Sequence, residues 1–339
     1  MKGFFRYIPP FAPDYSGAVS ALYGAGGMVV LCDPGGCSGN VAGYDEPRFY
    51  GTKPEFFSAA IREMDTIFGR DDRLERKIIS AAALNRDLAF IALVGTPVVS
   101  VIGTDLKAIA KKVENATGIP AFAVETNGMD DYSLGEEKAI TAYLRRFSDA
   151  LPAGQIIADH PGLLGATPLN AAGGDDLAAA CDPAGEPYKC CSAASNIAVG
   201  RFFQTALEYP ETPELQRAAD EIASRIAAHQ AKRVLIVHQF AAADRLRRIL
   251  AERLCPAGAA QDLAPIRIDT GSFFAADHRL LRMNGLAGEE NLAFSGEDEL
   301  VRASSDYDLV AADPLYFRAV RSAQTVPFPH RALSAQLYL

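Results

Sequence analysis

Two of the six cysteines flank one short turn in the segment GGMVVLCDPGGCSGN, residues 26–40. Cys32 and Cys37 stand on either side of Asp-Pro-Gly-Gly, residue types that bend the chain near the surface. Thiolates on a glycine-rich turn suit an iron–sulfur cluster, because bare backbone approaches the sulfides and donates hydrogen bonds to them. The alternative is a pair of structural thiols, since a free cysteine is usually buried like a small hydrophobe. The turn is therefore a candidate metal site.

The spacing of this pair limits the metal centres that it could complete. Cys-x-x-x-x-Cys is not the Cys-x-x-Cys of a thioredoxin-like redox pair, and the neighbouring sequence offers no second pair for a tetrahedral zinc site. A cubane iron–sulfur cluster takes about four protein ligands. Two cysteines per chain are too few, so the other ligands would come from distant residues or from a second copy of the chain.

The other four cysteines carry less information. Cys181, Cys190 and Cys191 lie together in CDPAGEPYKCC, but the side chains of adjacent residues diverge in most backbones and suit one ion poorly. We interpret these three as core or loop thiols, and whether they bind anything stays open. Cys255 follows the helical pattern AERL and is expected to be buried.

Polar residues that follow predicted strands are the second group of candidates, because open α/β sheets bind ligands at the carboxyl ends of their strands. His238 ends the strand pattern VLIVH, and His330 lies in PFPHRALS. A hydrogen-bonded structural histidine is the alternative for each. The predicted substrate-binding residues are Tyr44, Asp45, Arg48, His238, Gln239, Asp313, Tyr316 and His330. No residue is assigned a catalytic role.

Missing motifs exclude several common classes of enzyme. The sequence has no G-x-x-x-x-G-K-[ST] phosphate loop, and GAGG at 24–27 lacks the G-x-G-x-x-G spacing of a dinucleotide site. The G-x-S-x-G motif of α/β serine hydrolases is missing as well. We therefore expect no ATPase or dinucleotide site in this chain.

Composition and charge narrow the partners and the location. Of the 339 residues, 49% are hydrophobic and 22% are charged, as in a typical globular protein. The net charge of -9 argues against binding to nucleic acid or to anionic lipid. The apolar window Leu88–Ile102 is shorter than the ~20 residues that span a bilayer, and Pro9 and Pro10 interrupt any signal peptide. We expect a cytoplasmic chain with reduced thiols that binds neither nucleic acid nor membrane.

The elements that must position these residues alternate between short apolar strands and longer helical patterns. This order predicts an α/β fold of several Rossmann-like units, each built on a parallel sheet, with a ligand cleft between them. Breaks in composition divide the chain into an N-terminal α/β unit at 1–150, which carries the cluster loop, a middle α/β unit at 151–230 and a C-terminal α/β unit at 231–339. The candidate strands are Met28–Leu31, Leu88–Val94, Ala121–Glu125, Gln155–Ala158, Asn196–Val199, Arg233–His238, Ile266–Asp269 and Asp308–Ala311.

Two helices are predicted beside the strands of the N-terminal unit. In Glu55–Phe68 four apolar residues recur at helical spacing, and Gly69 ends the pattern. Thr104 is the predicted cap of a second amphipathic helix, which Gly118 ends.

The order of these segments resembles the nitrogenase component 1 type oxidoreductases, the superfamily of the nitrogenase molybdenum–iron protein, dark-operative protochlorophyllide reductase and the reductive cyclase of coenzyme F430 assembly. VVLCDPGGCSG resembles the family's strand and glycine turn, so Cys37 matches its cluster cysteine and Cys32 stands in place of its histidine. TPVVSVIGTDLKAIAKKVE resembles the segment in which a family cysteine precedes a strand, an Ile-Gly-Asp-Asp turn and a helix. IPAFAVETNGM, LLGATPLN and DLVAADPLYFRAV with PFPHRALS resemble later parts, so the likeness covers most of the chain.

Two departures from the family change what the resemblance implies. The family's cysteine in the second segment is Thr96 here, and an upstream cysteine of true nitrogenases has no counterpart, so we expect no nitrogenase-sized double cluster. The resemblance implies instead one [4Fe–4S] cluster that Cys32 and Cys37 of two chains bind together. The partner chain would be an identical subunit or a paralogue. The nitrogenase metal cofactor and dinitrogen reduction are not carried over to this shorter chain.

The resemblance also implies a function. The chain would be a catalytic iron–sulfur subunit that receives electrons from a separate ATP-hydrolysing iron protein and reduces a small-molecule substrate. The missing phosphate loop agrees with a separate ATPase. One alternative is a non-enzymatic scaffold or carrier for a metal cofactor or tetrapyrrole, and another is a ligand-binding α/β protein without a cluster. The sequence does not identify the substrate.

Overall fold

The chain forms two compact units in the computed structural model. The model describes residues 6–50, 56–85, 87–147, 163–164, 167, 189–190, 209, 211–254, 266–274, 291–322 and 324–329. The first unit consists mainly of Phe11–Leu163, and the second of Met1–Pro10, Leu164–Gly200 and Thr205–Leu333. The sequence prediction instead divides the chain at 150 and at 230. Most of its middle segment lies outside the described residues, so the three-unit division stays a prediction.

The first unit contains a parallel sheet of four strands in the order β2-β1-β3-β4. Its central strands are short runs of apolar residues that are buried, as expected for strands that are covered on both faces. Three of the strands were predicted from these runs, and the structure confirms them with shorter bounds for two. The strands are β1 (Met28–Leu31), β2 (Phe56–Ser58), β3 (Ile91–Val94) and β4 (Ala121–Val124).

One face of this sheet lies against a tightly packed pair of helices. Every residue of the first helix is buried. A Cβ atom on Gly17 of this helix would lie 2.0 Å from the carbonyl oxygen of Tyr132, and one on Gly135 would lie 1.7 Å from that of Asp14. Only glycine permits two helix backbones to approach so closely. The helices of the first unit are α1 (Asp14–Leu22), α2 (Gly36–Asn40), α3 (Glu63–Ile67), α4 (Asp71–Ala82), α5 (Pro97–Ile102), α6 (Leu106–Thr117) and α7 (Tyr132–Phe147).

The opposite face of the sheet forms a second apolar core. Ile78 of α4 and Ile109 of α6 are buried in the same cluster as Val30 of β1. Helix α6 begins one residue later than predicted, because its cap is Asp105, whose carboxylate accepts a hydrogen bond from the amide of Ala108 at 2.9 Å. The predicted end at Gly118 is confirmed, since this glycine has the left-handed conformation (φ 71°) that ends many helices.

The predicted helix over Glu55–Phe68 is wrong in the described part of this range. Phe56–Ser58 forms the edge strand β2, which pairs with β1 in parallel, and α3 is a separate short helix. Met64 and Phe68, which the helical pattern would bury, are 55% and 65% exposed. The apolar spacing fits a helix, but pairing with a neighbouring strand satisfies the backbone of residues 56–58 and overrides this local pattern.

The second unit contains a parallel sheet of five strands in the order β11-β10-β7-β8-β9. Its strands are β7 (Arg233–Val237), β8 (Arg267–Ser272), β9 (Asn291–Ala293), β10 (Leu309–Ala312) and β11 (Gln324–Pro327). The described helices are α8 (Pro213–His229), α9 (Phe240–Leu254) and α10 (Glu297–Ser304). A separate pair joins β5 (Leu163–Leu164) to β6 (Lys189–Cys190). The predicted α/β class with parallel sheets is confirmed.

Some predictions for this half of the chain have no counterpart in the described structure. The strands predicted at Gln155–Ala158 and Asn196–Val199 lie outside the described residues, whereas β9 and β11 were not predicted. Among the described helices, none is long and apolar enough to cross a membrane.

Candidate functional site

The glycine turn begins where β1 ends and stays tied to the sheet for one more residue. The amide of Cys32 donates a hydrogen bond to the carbonyl of Val94 at 2.9 Å. The hydroxyl of Thr96, fully buried after β3, donates to the carbonyl of Cys32 at 2.6 Å. By the resemblance described above, Thr96 stands where the family has a cysteine. It therefore joins the carboxyl ends of two neighbouring strands.

Cys32 lies inside the apolar core. Its exposed fraction is 0%, and its neighbours in the core cluster include Val30, Ile61 and Val99. The side chains of Val30 and Cys32 share one face of the strand because side chains alternate along it. Burial, together with the nearby charge of Asp33, raises the pKa of the Cys32 thiol to about 12. A neutral thiol in an apolar core favours the structural alternative for this residue.

Cys37 has a different environment on the first turn of α2. Its side chain is half-buried, and the Tyr15 side chain lies close enough to its sulfur to affect the pKa of the thiol. Burial raises the pKa of this thiol, and the proximity of Tyr15 opposes that effect. A Cβ atom added to Gly36 or Gly39 would meet no heavy atom within 4 Å. The backbone beside Cys37 is thus open to an approaching group, as an iron–sulfur cluster requires.

Asp33 fixes the turn between the two cysteines. Its side chain is fully buried, and its carboxylate accepts hydrogen bonds from the amide of Ser38 at 2.8 Å and from the Ser38 hydroxyl at 2.8 Å. The hydroxyl of Ser58 at the end of β2 donates a third hydrogen bond at 2.6 Å. Gly35, in the middle of the turn, has a φ of 123° that favours glycine.

A π-helical turn follows α2 and carries two of the predicted substrate-binding residues. Val41–Asp45 forms this turn, a rare geometry that is frequent at functional sites. Tyr44 is 39% exposed, whereas Asp45 is buried. The Asp45 carboxylate accepts hydrogen bonds from the Ser16 hydroxyl at 2.6 Å and from the Asn40 amide at 2.7 Å. Only Tyr44 of these two therefore faces solvent.

Arg48 has a structural role in this arrangement. Its guanidinium binds both carboxylate oxygens of Glu46 at 2.6 Å and donates a hydrogen bond to the carbonyl of Ser20 at 2.8 Å. The Glu46 side chain is fully buried, so it depends on this cation. The guanidinium also lies 5.0 Å above the ring of Tyr23.

The carboxyl edge of the second sheet brings together four further predicted residues, all of them buried. Gln239 accepts a hydrogen bond from the amide of Ala241 at 2.8 Å and thereby holds the first turn of α9. Asp313 accepts one from the amide of Leu315 at 2.8 Å and caps the 3-10 helix Pro314–Arg318. Tyr316 is 1% exposed, and burial raises the pKa of its hydroxyl well above the usual range.

His238 is buried at the same edge. Its Nε2 atom lies 3.0 Å from the carbonyl oxygen of Pro329, and its ring packs on Phe328 with a centroid distance of 4.4 Å. Burial lowers the pKa of the imidazole to about 4. These contacts favour the structural alternative for His238. His330, the last of the predicted residues, lies outside the described part of the chain, as do the side chains of Cys181, Cys190, Cys191 and Cys255.

The fit of an iron–sulfur cluster differs between the two predicted ligands. Cys37 offers a half-buried thiol beside open backbone, which fits. Cys32 offers no accessible thiol, because its sulfur faces the core and lies 3.8 Å from the carbonyl oxygen of Val30. Within the described residues no group of three or more His, Cys, Asp or Glu side chains is placed to hold a metal ion. One chain, as described, therefore supplies at most part of a ligand set.

Sequence reasoning missed Asp33, Ser58 and Tyr15 as parts of this site. Asp33 stands in the quoted turn, and a side-chain acceptor ahead of a short helix is a recognisable capping signal. Ser58 and Tyr15 carry no such signal, because their contacts with the turn depend on the pairing of β2 and the packing of α1.

The chain is therefore an α/β protein with a candidate metal site at the carboxyl edge of a parallel sheet. The thiol of Cys37, on the glycine turn, is the candidate ligand. Residues 13–253, more than half of the chain, match the nitrogenase component 1 type oxidoreductase family. The chain belongs to this family.

Sequence relatives and solved structures agree with this assignment. Subunit N of light-independent protochlorophyllide reductase from Trichormus variabilis and from Nostoc sp. is 28% identical over 102 residues. The matched part is 30% of this chain and only 22% of those subunits. Solved structures of nitrogenase Cp1 at pH 6.5 and at pH 5 have TM-scores of 0.54 and 0.53, with 11% and 15% identity. They cover 98% and 96% of this chain, which covers 88% and 85% of theirs, and show a common fold.

Proposed function

We propose that this chain is the component 1 subunit of a reductase. It receives electrons from a separate ATP-hydrolysing iron protein and reduces a bound small molecule. The observation that carries the proposal is the half-buried Cys37 thiol on an open glycine turn. Membership of the oxidoreductase family supports the reaction class, and the missing phosphate loop supports a separate ATPase.

Cys37 is the residue proposed to hold a [4Fe–4S] cluster, which would accept and pass on single electrons when bound. A Cβ atom at Gly36 or Gly39 would meet no heavy atom within 4 Å, and this open backbone supports the approach of a cluster. A two-fold pair, of identical subunits or of paralogues, brings two copies of Cys37 to one axis. Cys32 completes the four thiolates only if its side chain turns out of the core. If it stays in the core, as the structure describes it, the remaining ligands come from other residues, and the iron content of a Cys32 variant separates the two cases.

The small molecule is proposed to be a tetrapyrrole. The support is the sequence match to subunit N of protochlorophyllide reductase, whose substrate by name is of this class. Gln239, Asp313 and His238 at the second sheet edge each form a hydrogen bond within the chain, so they supply little polar recognition. This arrangement also favours the second candidate function, a non-enzymatic carrier for a tetrapyrrole or metal cofactor. The predicted ligand cleft stays a prediction.

Anaerobic protein, measured for iron, acid-labile sulfide and oligomeric state, tests the proposal. We expect about four irons and four sulfides per dimer. Turnover of a tetrapyrrole with an iron protein and ATP separates the reductase from the carrier, which binds the pigment without changing its absorption spectrum over time. Protein without iron that still binds a ligand would establish the cluster-free alternative. ATP hydrolysis by the purified chain alone would contradict the separate ATPase.

A further inference from the structure

We propose that Asp33 is a positioning residue that holds Cys37 in its binding geometry. The inference rests on the proposed function for the reason why Cys37 is held in place. The contacts of Asp33 themselves are independent of any cluster. Asp33 does not touch a metal in this arrangement. It acts through the backbone of the residue that follows Cys37.

The side chain of Asp33 connects three parts of the first unit. Its Oδ2 atom accepts the Ser38 amide hydrogen bond, and its Oδ1 atom accepts hydrogen bonds from the hydroxyls of Ser38 and Ser58. The main chain of Asp33 is fixed as well, since its amide donates to Leu31 at 2.9 Å and its carbonyl accepts from Ile61 at 2.8 Å. The carboxylate thus ties the start of α2 to the ends of β1 and β2.

This connection spans Pro34, Gly35 and Gly36, of which only Pro34 has a restricted φ angle. Gly35 and Gly36 lie between Asp33 and Cys37, and glycine has the largest conformational freedom of any residue. Open space around both glycines means that side-chain packing does not restrict them. A ligand residue on such a turn loses affinity for its metal, because binding must then order the backbone. The hydrogen bonds between Asp33 and Ser38 order this backbone before any metal binds, so metal binding does not have to order it.

Asp33 is more deeply buried than a residue that only caps a helix has to be. Asp105, the cap of α6, is exposed and serves a helix of 12 residues through the hydrogen bond that it accepts from the amide of Ala108. Asp33 is fully buried and serves α2, which has only five residues. Burying a carboxylate is costly and is offset only when hydrogen bonds satisfy it. A buried, threefold-bonded carboxylate beside a five-residue helix is explained by the precise placement of Cys37.

The experiment measures the alkylation of Cys37 and Cys32 by iodoacetamide in the apo protein, by mass spectrometry, with iron content measured in parallel. The rates are measured as a function of pH and compared per thiolate, because burial and the charge of Asp33 both raise the pKa of the Cys37 thiol, and removal of that charge alone would speed alkylation. The variants are Asp33→Ala, Asp33→Asn and Ser58→Ala, and Asp105→Asn is the matched control. We expect Asp33→Ala to speed the labelling of Cys37 about tenfold, which is the loss of about 1.4 kcal/mol of protection. Cys32 should stay protected, because the core around it is intact.

The conservative variants separate positioning from general destabilisation. In Asp33→Asn the amide oxygen can accept from Ser38, and its NH2 group can donate to the serine hydroxyls, so labelling and iron content should return most of the way to wild type. Ser58→Ala removes one of the three hydrogen bonds and should raise Cys37 labelling about threefold. Asp105→Asn should leave Cys37 labelling and iron content unchanged.

Two results would overturn the inference. One is equal labelling of Cys37 in the wild type and in Asp33→Ala. The other is a proportional rise at Cys32, which would show that the whole unit opens and that Asp33 is merely structural. Wild-type protein without iron would refute the proposed cluster but not the role of Asp33, because the labelling is measured on apo protein.

Discussion

The carboxyl edges of the two parallel sheets carry similar polar residue types, but the exposure of these residues differs between the two edges. At the first edge Cys37 is half-buried, Tyr44 is 39% exposed and the neighbouring glycines leave open backbone. At the second edge the described candidates are between 1% and 6% exposed and serve as caps and packing groups. A polar residue that follows a parallel strand is thus only a candidate. Its function depends on whether its polar atoms already form hydrogen bonds with the first turn of a helix, or its side chain packs against a neighbouring ring.

The difference has a physical cause in the loop that follows each strand. Gln239 and Asp313 come directly before helices, so their side chains satisfy amides that the helix leaves unpaired. At the first edge the Asp33 carboxylate, which precedes the helix by three residues, accepts the hydrogen bond from the Ser38 amide of α2, and the Cys37 side chain is half-buried. The Asp33 carboxylate therefore takes the backbone hydrogen bond at the first edge, whereas Gln239 and Asp313 themselves take it at the second.

Cys37→Ser should have the largest effect, which is on iron content. If this variant kept its iron, the first sheet edge would no longer differ from the second in metal binding. We expect this variant to lose most of its iron, since a serine hydroxyl is a poor substitute for a thiolate ligand. Iron per chain in anaerobic protein is the measurement, and Cys190→Ser and Cys191→Ser are the controls that should retain it. Full iron content in Cys37→Ser would leave the turn without a metal role.

Arg48→Ala should destabilise the first unit strongly. The substitution leaves the fully buried Glu46 carboxylate without its cation, at a cost of about 3 kcal/mol. Urea unfolding measures the loss. Adding Glu46→Gln to Arg48→Ala should recover part of it, because the unpaired charge is then removed. Unchanged stability, with a change only in substrate turnover, would instead support the substrate role predicted from the sequence.

His238 should make stability depend on pH. Its pKa of about 4 in the folded state lies below the value of 6.5 in the unfolded chain, so stability is complete above about pH 6.5 and falls with pH towards 4. The loss at pH 5 is about 2 kcal/mol relative to pH 7. Unfolding free energies of the wild type and His238→Gln at the two pH values measure it, with the exposed His229→Gln as control. Equal losses in the wild type and His238→Gln would show that the imidazole is not buried in the neutral form.

Cys32→Ala should have the smallest effect. Removal of a buried sulfur from the core costs about 1 kcal/mol of stability. The burial of Cys32 favours retained iron in this variant, while its thermal midpoint falls slightly. Loss of iron to the extent seen in Cys37→Ser would show that Cys32 turns out of the core to become the second ligand, as the sequence predicts.

The amino-acid sequence by itself determined the fold class and the family. Apolar runs such as Met28–Leu31 and Ile91–Val94 are recognisable because buried parallel strands are apolar throughout, and this is a local property. The order of the motifs around Cys37 and Thr96 was sufficient for the family, which the match over residues 13–253 confirms.

Only the tertiary structure decided which residues are accessible. Phe56 belongs to a strand because β1 lies beside it, although the local spacing fits a helix. Cys32 is buried because helices cover its face of the sheet, and the partner of Asp33 on β2 lies 25 residues away in the chain. Exposure and hydrogen-bond partners depend on segments that are distant in sequence, so local patterns cannot determine them.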